Sequence, residues 1–346
     1  MRKKIVILAL FFLLVIASII ILPYYKFLTQ TLKISLFKTL FSFDSLKVRD
    51  DQVNILVLGI AGAEHEGPNL SDSIMVLNYN FKTNQLTSFS FPRDIWSATL
   101  SDKINSAYAY GEAKMKGGGL KLAKAEMEAV FGQRIPYAAV VNFSEFEELI
   151  DFFGGIDVVV DRSFTDKKYP IAGKENDPCD GDPEYACRYE TISFAKGINH
   201  MDGKTALKFA RSRNAEGIEG NDFARAKRQQ KIVEAVKDKL IAYVKNARLK
   251  ELEKLFLTLD KLIIRDLTNQ QAAIIAKNIF LKKNFRQKQV VLTEDFFTVP
   301  DYSDYDGKYV LVPKSGNFNL IHQYIACIIN DFSNCEDLKN KGNKNQ

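Results

Sequence analysis

The run VNILVLG, at residues 53–59, opens the folded body of this 346-residue chain. It is short, almost wholly apolar and ends in glycine, which is typical of a strand buried on both faces of a sheet. Two more strand-like runs follow at 73–79 and 86–91, and the polar stretch 80–85 between them predicts a hairpin turn. These runs therefore predict a sheet with at least one antiparallel pair.

Helical and strand patterns alternate along the rest of the chain. Helices are predicted at 104–115, 119–131, 144–153, 203–210, 222–247, about 250–283 and 317–330, and strands at 137–143, 156–160, 289–293 and 309–312. The alternation predicts an α/β fold, with α-β-α layers around a mixed central sheet and one transmembrane helix before it.

The predicted organisation has six parts, and residues 339–346 at its end are expected to be disordered. The parts are a cytoplasmic tail at 1–4, a transmembrane helix at 5–25, a stalk or interfacial segment at 26–50, a main domain at 51–247, a C-terminal α/β portion at 248–332 and a polar tail at 333–346.

The transmembrane prediction rests on residues 5–25, an uncharged and mostly apolar run directly after Arg2-Lys3-Lys4. At a helical rise of about 1.5 Å per residue, the run spans roughly the 30 Å of a bilayer's hydrocarbon core. It has no clear small-residue cleavage site, which favours an uncleaved anchor over a removed signal peptide. Lysines also follow the run, so the positive-inside rule is nearly a tie, but the short basic tail favours a cytoplasmic start. The sequence predicts a single-pass protein of the cell membrane with its folded part outside.

The net charge of +6 is unevenly distributed. The first 50 residues contribute +6 and residues 336–346 contribute +1, so residues 51–335 sum to about −1. A basic flank beside an apolar run suits the anionic head groups of a membrane. A nucleic-acid-binding domain needs a basic surface on its folded body, so the distribution argues against nucleic acid as a partner.

The four cysteines fall in two close pairs, Cys179 with Cys187 and Cys327 with Cys335. Two local disulfides would suit an oxidising compartment outside the membrane, and four free thiols are the alternative. Neither pair has C-x-x-C spacing and the three histidines are far apart, so no zinc site is predicted.

The densest polar signal lies between residues 210 and 230. Arg211 and Arg213 are two positions apart, so in an extended segment both side chains point the same way. Arg225 and Gln229 share one face of a predicted helix, and that face continues with apolar residues from Ile232 onward, so it is expected to pack inward. Arginines gathered near a helix start suit phosphate. The alternative is a set of structural salt bridges to nearby acids, and the pattern alone leaves both readings open.

A second polar cluster lies where predicted strands begin and end. Arg93 and Asp94 follow the run 86–91, and Asp72 precedes the run 73–79. Open α/β sheets bind ligands at strand ends, and an acid near several arginines suggests a divalent ion that bridges phosphates.

One motif is expected to mislead. Gly203-Lys204-Thr205 looks like the end of a phosphate-binding P-loop, but the nearest upstream glycine, Gly197, is one residue too far away. No strand is predicted to lead into it, so a nucleotide-binding loop is not expected here.

The order of the motifs resembles the LytR-CpsA-Psr family of bacterial envelope proteins, roughly over residues 50–245 and more loosely to 332. After the anchor come NILVLG (54–59), LSDSIM (70–75), SFPRD (90–94), KINSAY (103–108), GGIDV (154–158), MDGKTAL (201–207), ARSR (210–213) and DFARAKRQQ (222–230).

The resemblance implies a membrane-anchored phosphotransferase with its catalytic domain at 51–247. Such an enzyme moves an anionic glycopolymer from a polyprenyl pyrophosphate lipid carrier to peptidoglycan. Two alternatives stay open, a polyprenyl pyrophosphate hydrolase and a non-catalytic lipid- or glycan-binding envelope scaffold.

The resemblance also assigns roles to single residues. Asp72 would bind Mg²⁺, and the apolar interior would enclose the prenyl tail. Family members often carry a second acid after the first strand, where this chain has none, so Glu64 or His65 would substitute or Asp72 would suffice. The expected catalytic residues are Asp72, Arg93, Arg211 and Arg213, and the expected pyrophosphate-binding residues are Arg93, Lys103, Arg211, Arg213, Arg225 and Gln229.

Overall fold

The structure is a computed structural model that describes residues 21–41, 46–60, 62, 69–174, 176–282, 284–330 and 335–343. Its strands are β1 Gln52–Ile60, β2 Ser71–Asn80, β3 Gln85–Phe91, β4 Trp96–Ser97, β5 Asp102–Lys103, β6 Tyr137–Asn142, β7 Ile156–Val160, β8 Phe164–Pro170, β9 Tyr189–Phe194, β10 Gly197–Met201, β11 Ile263–Arg265, β12 Arg286–Val291, β13 Phe297–Thr298 and β14 Val312–Pro313. Its α-helices are α1 Leu36–Phe41, α2 Ala107–Lys114, α3 Gly119–Phe131, α4 Phe143–Phe152, α5 Gly203–Arg211, α6 Asp222–Asn246, α7 Leu249–Leu262, α8 Asn269–Leu281, α9 Asn319–Ile329 and α10 Cys335–Asn343.

Six strands form a mixed central sheet in the order β11-β6-β1-β2-β3-β12. β1 pairs parallel with β6 and antiparallel with β2, and β2 and β3 form an antiparallel hairpin. The turn of that hairpin is tightened by the Asn80 side chain, which accepts hydrogen bonds from the backbone amides of Lys82 and Thr83. The predicted hairpin and the predicted mixed sheet are confirmed.

Helices cover both faces of the sheet because apolar side chains alternate along its strands. Leu56 and Leu58 of β1 share a core with residues of α2, α3 and α9. Val53, on the opposite face of β1, packs in a second core with Ile274 and Ile275 of α8. The fold is therefore layered, with the sheet between two helical layers.

The C-terminal portion completes this sheet. The helical pattern predicted over 250–283 is interrupted at Ile263–Arg265, which pairs antiparallel with β6, and β12 pairs parallel with β3 at the other edge. The predicted strand at 309–312 is wrong for most of its length, since the strand there is the short β14. The expected disorder is wrong for residues 339–343, which lie in α10.

Residues 156–201 build two small sheets outside the central one, β7 with β10 and β8 with β9. β10 leads into α5 at Gly203, so the expectation that no strand precedes the Gly203-Lys204-Thr205 motif is wrong. The glycine has a packing reason, because a Cβ at Gly203 would lie 2.4 Å from the carbonyl oxygen of Glu147 on α4. The motif therefore marks a close contact between two helices.

Both predicted disulfides are present, with Cα atoms 5.6 Å apart for Cys179–Cys187 and 5.7 Å apart for Cys327–Cys335. Across the described residues, one group of three side chains has metal-ligating character, Asp177 with Cys179 and Cys187. Its two sulfurs are bonded to each other, so that group is not a thiolate metal site.

The chain enters the folded body along α8. Residues 21–26 are helical and continue as a π-helical turn at Phe27–Thr31. After that turn, Asn269 donates a hydrogen bond to the Leu32 carbonyl (3.0 Å), and Gln270 accepts one from the Ser35 amide (2.7 Å) and donates one to the Thr39 hydroxyl (2.8 Å).

Most of the predicted transmembrane run, residues 5–20, lies outside the described residues. Among those that are described, no helix has the length and apolar character needed to cross a bilayer.

Candidate functional site

Asp72 and Arg93 meet because of the register of the central hairpin. β2 and β3 pair Ile74 with Phe91, and the same antiparallel register continued by two residues sets Asp72 opposite Arg93. Nη1 of Arg93 donates a hydrogen bond to Oδ1 of Asp72. The predicted acid and the first predicted arginine are thus direct partners.

A β-bulge also shapes the position of Asp72. On the other side of β2, Gly59 pairs with Ser73 while Ile60 pairs with Ser71, so Asp72 is the extra residue between them. A bulge bends the strand and redirects a side chain, and bulges are common beside active sites.

The ion pair extends into a row of alternating charges, Asp72–Arg93–Asp94–Lys103, called here the charged row. Nε of Arg93 lies 3.7 Å from Oδ2 of Asp94, and Nζ of Lys103 donates to Oδ1 of Asp94 over 2.8 Å. The four side chains are 19–30% exposed. The row is formally neutral and partly shielded from water, so its groups interact more strongly than a surface pair would.

One donor of Arg93 makes no hydrogen bond in the described part of the chain, although the Asp94 carboxylate lies 3.7 Å from it. Its Nε is buried and makes no hydrogen bond to any residue that the structure describes. Buried polar groups are nearly always satisfied, so an orphan donor calls for a specific explanation. A ligand oxygen close to Nε would supply the missing acceptor.

Arg211 and Arg213 lie in the arginine loop, residues 211–214, which Asp166 organises. The Asp166 carboxylate is fully buried, and its Oδ2 accepts from the Ser212 hydroxyl (2.7 Å) and the backbone amides of Arg213 (3.2 Å) and Asn214 (3.1 Å). Ser212 is buried between the half-buried Arg211 and the exposed Arg213. One carboxylate therefore fixes the backbone that carries both arginines.

The inward-facing arginine of α6 is Arg228, which corrects the expectation for Arg225 and Gln229. Arg228 is only 3% exposed, whereas Arg225 and Gln229 are half-buried at the border of the apolar stripe. Positions 225 and 228 differ by about 60° around a helix, so the buried face of α6 is rotated by a small angle from the face that the i, i+4 spacing predicted.

Arg228 joins α6 to the end of α5 and to the chain that follows it. It donates to the carbonyl oxygens of Phe209 (3.0 Å), Ser212 (2.6 Å) and Glu219 (2.9 Å), and to the Glu219 carboxylate (3.1 Å). Its guanidinium carbon lies 4.9 Å from the ring centroid of Phe164. Burial lowers the pKa of Arg228, and the Glu219 carboxylate opposes that shift.

The charge of Arg211 acts on the buried hydroxyl of Tyr169. Burial raises the pKa of the Tyr169 hydroxyl above its ordinary value, and the nearby charge of Arg211 acts in the opposite direction. Lys208, one turn earlier on α5, pairs with Glu190 at 2.7 Å. Arg211 therefore sits beside a buried phenol in surroundings of mixed charge.

The predicted residues fall into two networks. Asp72, Arg93 and Lys103 belong to the charged row, and Arg211 and Arg213 belong to the arginine loop. Arg225 and Gln229 lie on the helix whose Arg228 holds that loop.

Sequence reasoning placed Asp94 in the second polar cluster but gave it no role, and it did not single out Asp166 or Arg228. Asp94 and Arg228 lie inside stretches already recognised as motifs, and their place in those motifs was the signal that could have identified them as functional residues. Asp166 lies in a polar segment with no local mark, because its bonding partners are 46–48 residues away.

Two surface cavities lie in the part of the chain that the structure describes, and neither is lined by a residue predicted to bind the metal ion or the pyrophosphate. One of about 280 Å³ is lined by Lys47, Lys121, Lys124, Ala125, Glu128, Arg134, Ile135 and Pro136. The other, of about 540 Å³, is lined by residues of β12, α9 and α10. Enclosure of a prenyl tail inside the fold stays a prediction.

The layered fold carries the motifs in the expected order, and residues 30–321 match the model of the LytR-CpsA-Psr (LytR_cpsA_psr) family. The chain belongs to this family.

Two curated relatives show what the chain is similar to. One is the polyisoprenyl-teichoic acid–peptidoglycan teichoic acid transferase TagU of Bacillus mycoides, 32% identical over 192 residues, which are 54% of this chain and 52% of TagU. The other is the regulatory protein MsrR of Staphylococcus aureus, 30% identical over 200 residues, which are 56% of this chain and 51% of MsrR. The chain thus spans about half the length of the curated relatives it matches.

Solved structures share the fold. B. subtilis TagV superposes with a TM-score of 0.56 at 22% identity and covers 83% of this chain and 100% of TagV. TagT bound to LI-WTA superposes with a TM-score of 0.53 at 20% identity and covers 81% of this chain and 92% of TagT. At this level of identity the likeness establishes the fold alone.

Proposed function

We propose that the protein is a glycopolymer–peptidoglycan phosphotransferase that takes its glycan from a polyprenyl pyrophosphate carrier. Family membership and the similarity to a teichoic acid transferase support the reaction class. The observation that carries the proposal is the unsatisfied, buried Nε of Arg93, set in a half-buried row of charges at the end of a sheet hairpin.

The reaction needs positioning and charge neutralisation more than covalent help from the protein. An acceptor hydroxyl of peptidoglycan attacks the phosphorus that carries the glycan, and the bond from that phosphorus to the bridging oxygen breaks. Polyprenyl monophosphate leaves with the bridging oxygen, the hydroxyl proton passes to solvent, and a phosphodiester joins glycan and peptidoglycan.

The chain's own residues hold the diphosphate. Arg93 would donate from Nε to a phosphate oxygen while Nη1 keeps its bond to Asp72, and Lys103 lies beyond Asp94 in the charged row. Arg211 and Arg213 would bind from the arginine loop, and Arg225 and Gln229 from α6. Guanidinium groups suit this task because their paired donors match phosphate oxygens.

Magnesium fits the donor set at Asp72. Mg²⁺ is commonly bound through one or two carboxylates together with substrate phosphates, so a single half-exposed carboxylate beside a diphosphate is a sufficient protein contribution. When bound, the ion would neutralise charge on the phosphate oxygens. Asp94 is the nearest further carboxylate of the charged row, and Glu64 and His65 lie outside the described residues.

The proposed location is the outer face of the cell membrane, with residues 5–25 as the anchor. Two disulfides support an oxidising compartment. The basic charges of the first 50 residues would lie near anionic head groups.

The test compares Arg93→Ala and Arg225→Ala with Arg49→Ala, whose side chain is 82% exposed and forms an ion pair with its neighbour Asp50. With magnesium and a polyprenyl pyrophosphate glycan, the first two variants should lose roughly 100- to 1,000-fold in release of prenyl monophosphate, as for other preorganised donors. Arg49→Ala should match the wild type.

Adding a peptidoglycan acceptor then separates the candidate functions. A covalent glycan–peptidoglycan product supports the transferase. Prenyl monophosphate without that product indicates a hydrolase, and lipid binding without turnover indicates a scaffold. Full activity in both Arg93→Ala and Arg225→Ala would refute the site.

A further inference from the structure

The loop between β13 and β14 is fastened to the charged row. The Leu311 amide donates to the Asp94 carbonyl (2.9 Å), and the Trp96 amide donates to the Leu311 carbonyl (2.9 Å). Lys308 adds a side-chain bond to Asp102 at 3.0 Å. The loop therefore follows the same backbone that presents Arg93, and its position relative to the row is fixed.

This loop brings aromatic rings beside the row, and we call Trp96, Tyr302, Tyr305 and Tyr309 the aromatic shelf. Trp96 meets Tyr305 edge to face at 4.9 Å, and the rings of Tyr302 and Tyr309 lie 6.5 Å apart with 38° between their planes. Tyr302 is 49% exposed and Tyr309 is 46% exposed. Large rings held in place yet open to solvent indicate a binding surface rather than part of the core.

Lys103 links the shelf to the charged row. Its ammonium bonds to Asp94 and lies 5.9 Å from the centroid of the Tyr309 ring. A ligand whose phosphate sits on the row would therefore place its next chemical group close to Tyr309.

A pyranose ring suits this position. The C–H groups on one face of a sugar carry partial positive charge, and the face of an aromatic ring is negative. The loop also contains three acids, Asp301, Asp304 and Asp306, against one lysine, Lys308, and this negative balance disfavours a second phosphate at the shelf. The combination selects an uncharged sugar adjacent to the diphosphate.

We propose that the aromatic shelf binds the first, uncharged sugar of the donor glycan, the one joined to the diphosphate. The assignment rests on the proposed function, since it takes a lipid-linked diphosphate glycan as the ligand. Stacking on Tyr309 would hold the sugar while the charged row holds the phosphates, and it would make binding selective for glycosylated carrier over bare carrier.

Trp96 supplies the measurement because it is the only tryptophan in the chain. Its fluorescence is titrated with two probes, a prenyl diphosphate carrying one N-acetylhexosamine and the same prenyl diphosphate without a sugar. Binding is read without turnover, so the shelf is tested separately from the transfer reaction, and absent product would count against the proposed function alone.

Tyr309→Leu should weaken binding of the glycosylated probe about three- to tenfold, as expected for loss of one ring contact, and leave the affinity for the bare probe unchanged. Tyr309→Phe keeps the ring and should bind like the wild type. Tyr185→Leu removes an exposed tyrosine from the loop closed by the Cys179–Cys187 disulfide and should change neither affinity.

Two results would overturn the proposal. One is equal weakening of both probes by Tyr309→Leu, which would mean that the ring acts on the phosphates or on the fold. The other is a Tyr309→Leu variant that prefers the glycosylated probe over the bare probe as strongly as the wild type does.

Discussion

Replacing Arg228 by methionine tests whether one buried guanidinium holds the arginine loop. Methionine keeps much of the apolar volume against Phe164 but removes every donor. The carbonyls of Phe209, Ser212 and Glu219, together with the Glu219 carboxylate, then lose a partner bonded at 2.6–3.1 Å.

The expected cost follows from these contacts. Breaking a buried charge pair costs about 3–5 kcal/mol, and each buried acceptor left unsatisfied accounts for about 1 kcal/mol of such a loss. With an unfolding entropy of about 2 cal/mol/K per residue over the folded part of the chain, this loss of stability should lower the Tm of Arg228→Met by roughly 5–8 °C. Urea denaturation and thermal melting followed by circular dichroism measure both quantities.

Two variants on the same helix, one at Arg228 and one at Arg225, serve as controls. Arg228→Lys keeps the charge but lacks the planar guanidinium group, so its stability should lie between those of the wild type and Arg228→Met. Arg225→Met alters a half-buried neighbour and should cost less than about 1 kcal/mol while still reducing turnover. Equal stability of Arg228→Met and the wild type, or equal losses at both positions, would refute the reasoning.

Two further predictions concern acid sensitivity and the disulfides. Burial favours protonation of Asp102, yet hydrogen bonds from Tyr110 and Lys308 outweigh it and hold the pKa of Asp102 below its ordinary value. Its contribution to stability is therefore full above about pH 4 and is lost as the pH falls through the lower folded value. Trp96 fluorescence should change in that acidic range, and an identical change in Asp102→Asn would contradict this origin. Replacing both cysteines of Cys327–Cys335 by serine should cost about 2–3 kcal/mol of stability from loop entropy. The same change at Cys179–Cys187 opens a loop of equal length, but its total cost should be smaller, because only the first change also disturbs a residue, Cys335, that is buried in the main core. The urea midpoints of the two double-serine variants measure the difference, and a larger loss of stability for the Cys179–Cys187 variant would contradict this prediction.

Much of the central sheet can be predicted from the sequence. β1, β2, β3 and β6 are apolar runs bounded by turn residues, and such runs become strands in most contexts. β11 is different. Its three residues lie between two helical patterns, and they form a strand because the edge of β6 is available for pairing.

The candidate site is predictable in its residue types and less so in its partners. Asp72 meets Arg93 through the register of the β2–β3 hairpin, and its position is also shaped by a bulge against β1 that has no local sequence mark. Arg225 and Arg228 differ by a small rotation around one helix, and tertiary packing decides which of them turns inward. Asp166 needs the folded chain, since it accepts hydrogen bonds from backbone amides more than 40 residues away.

The hydrogen bonds between residues 32–39 and α8 have a mechanical consequence. A flexible tether leaves the body it carries free to rotate, and its reach depends on its length. Here the incoming chain is clamped to a helix whose side chains share a core with the sheet. A torque applied at residue 31 would turn sheet, charged row and shelf as one piece, so the fold itself sets the direction in which the site faces.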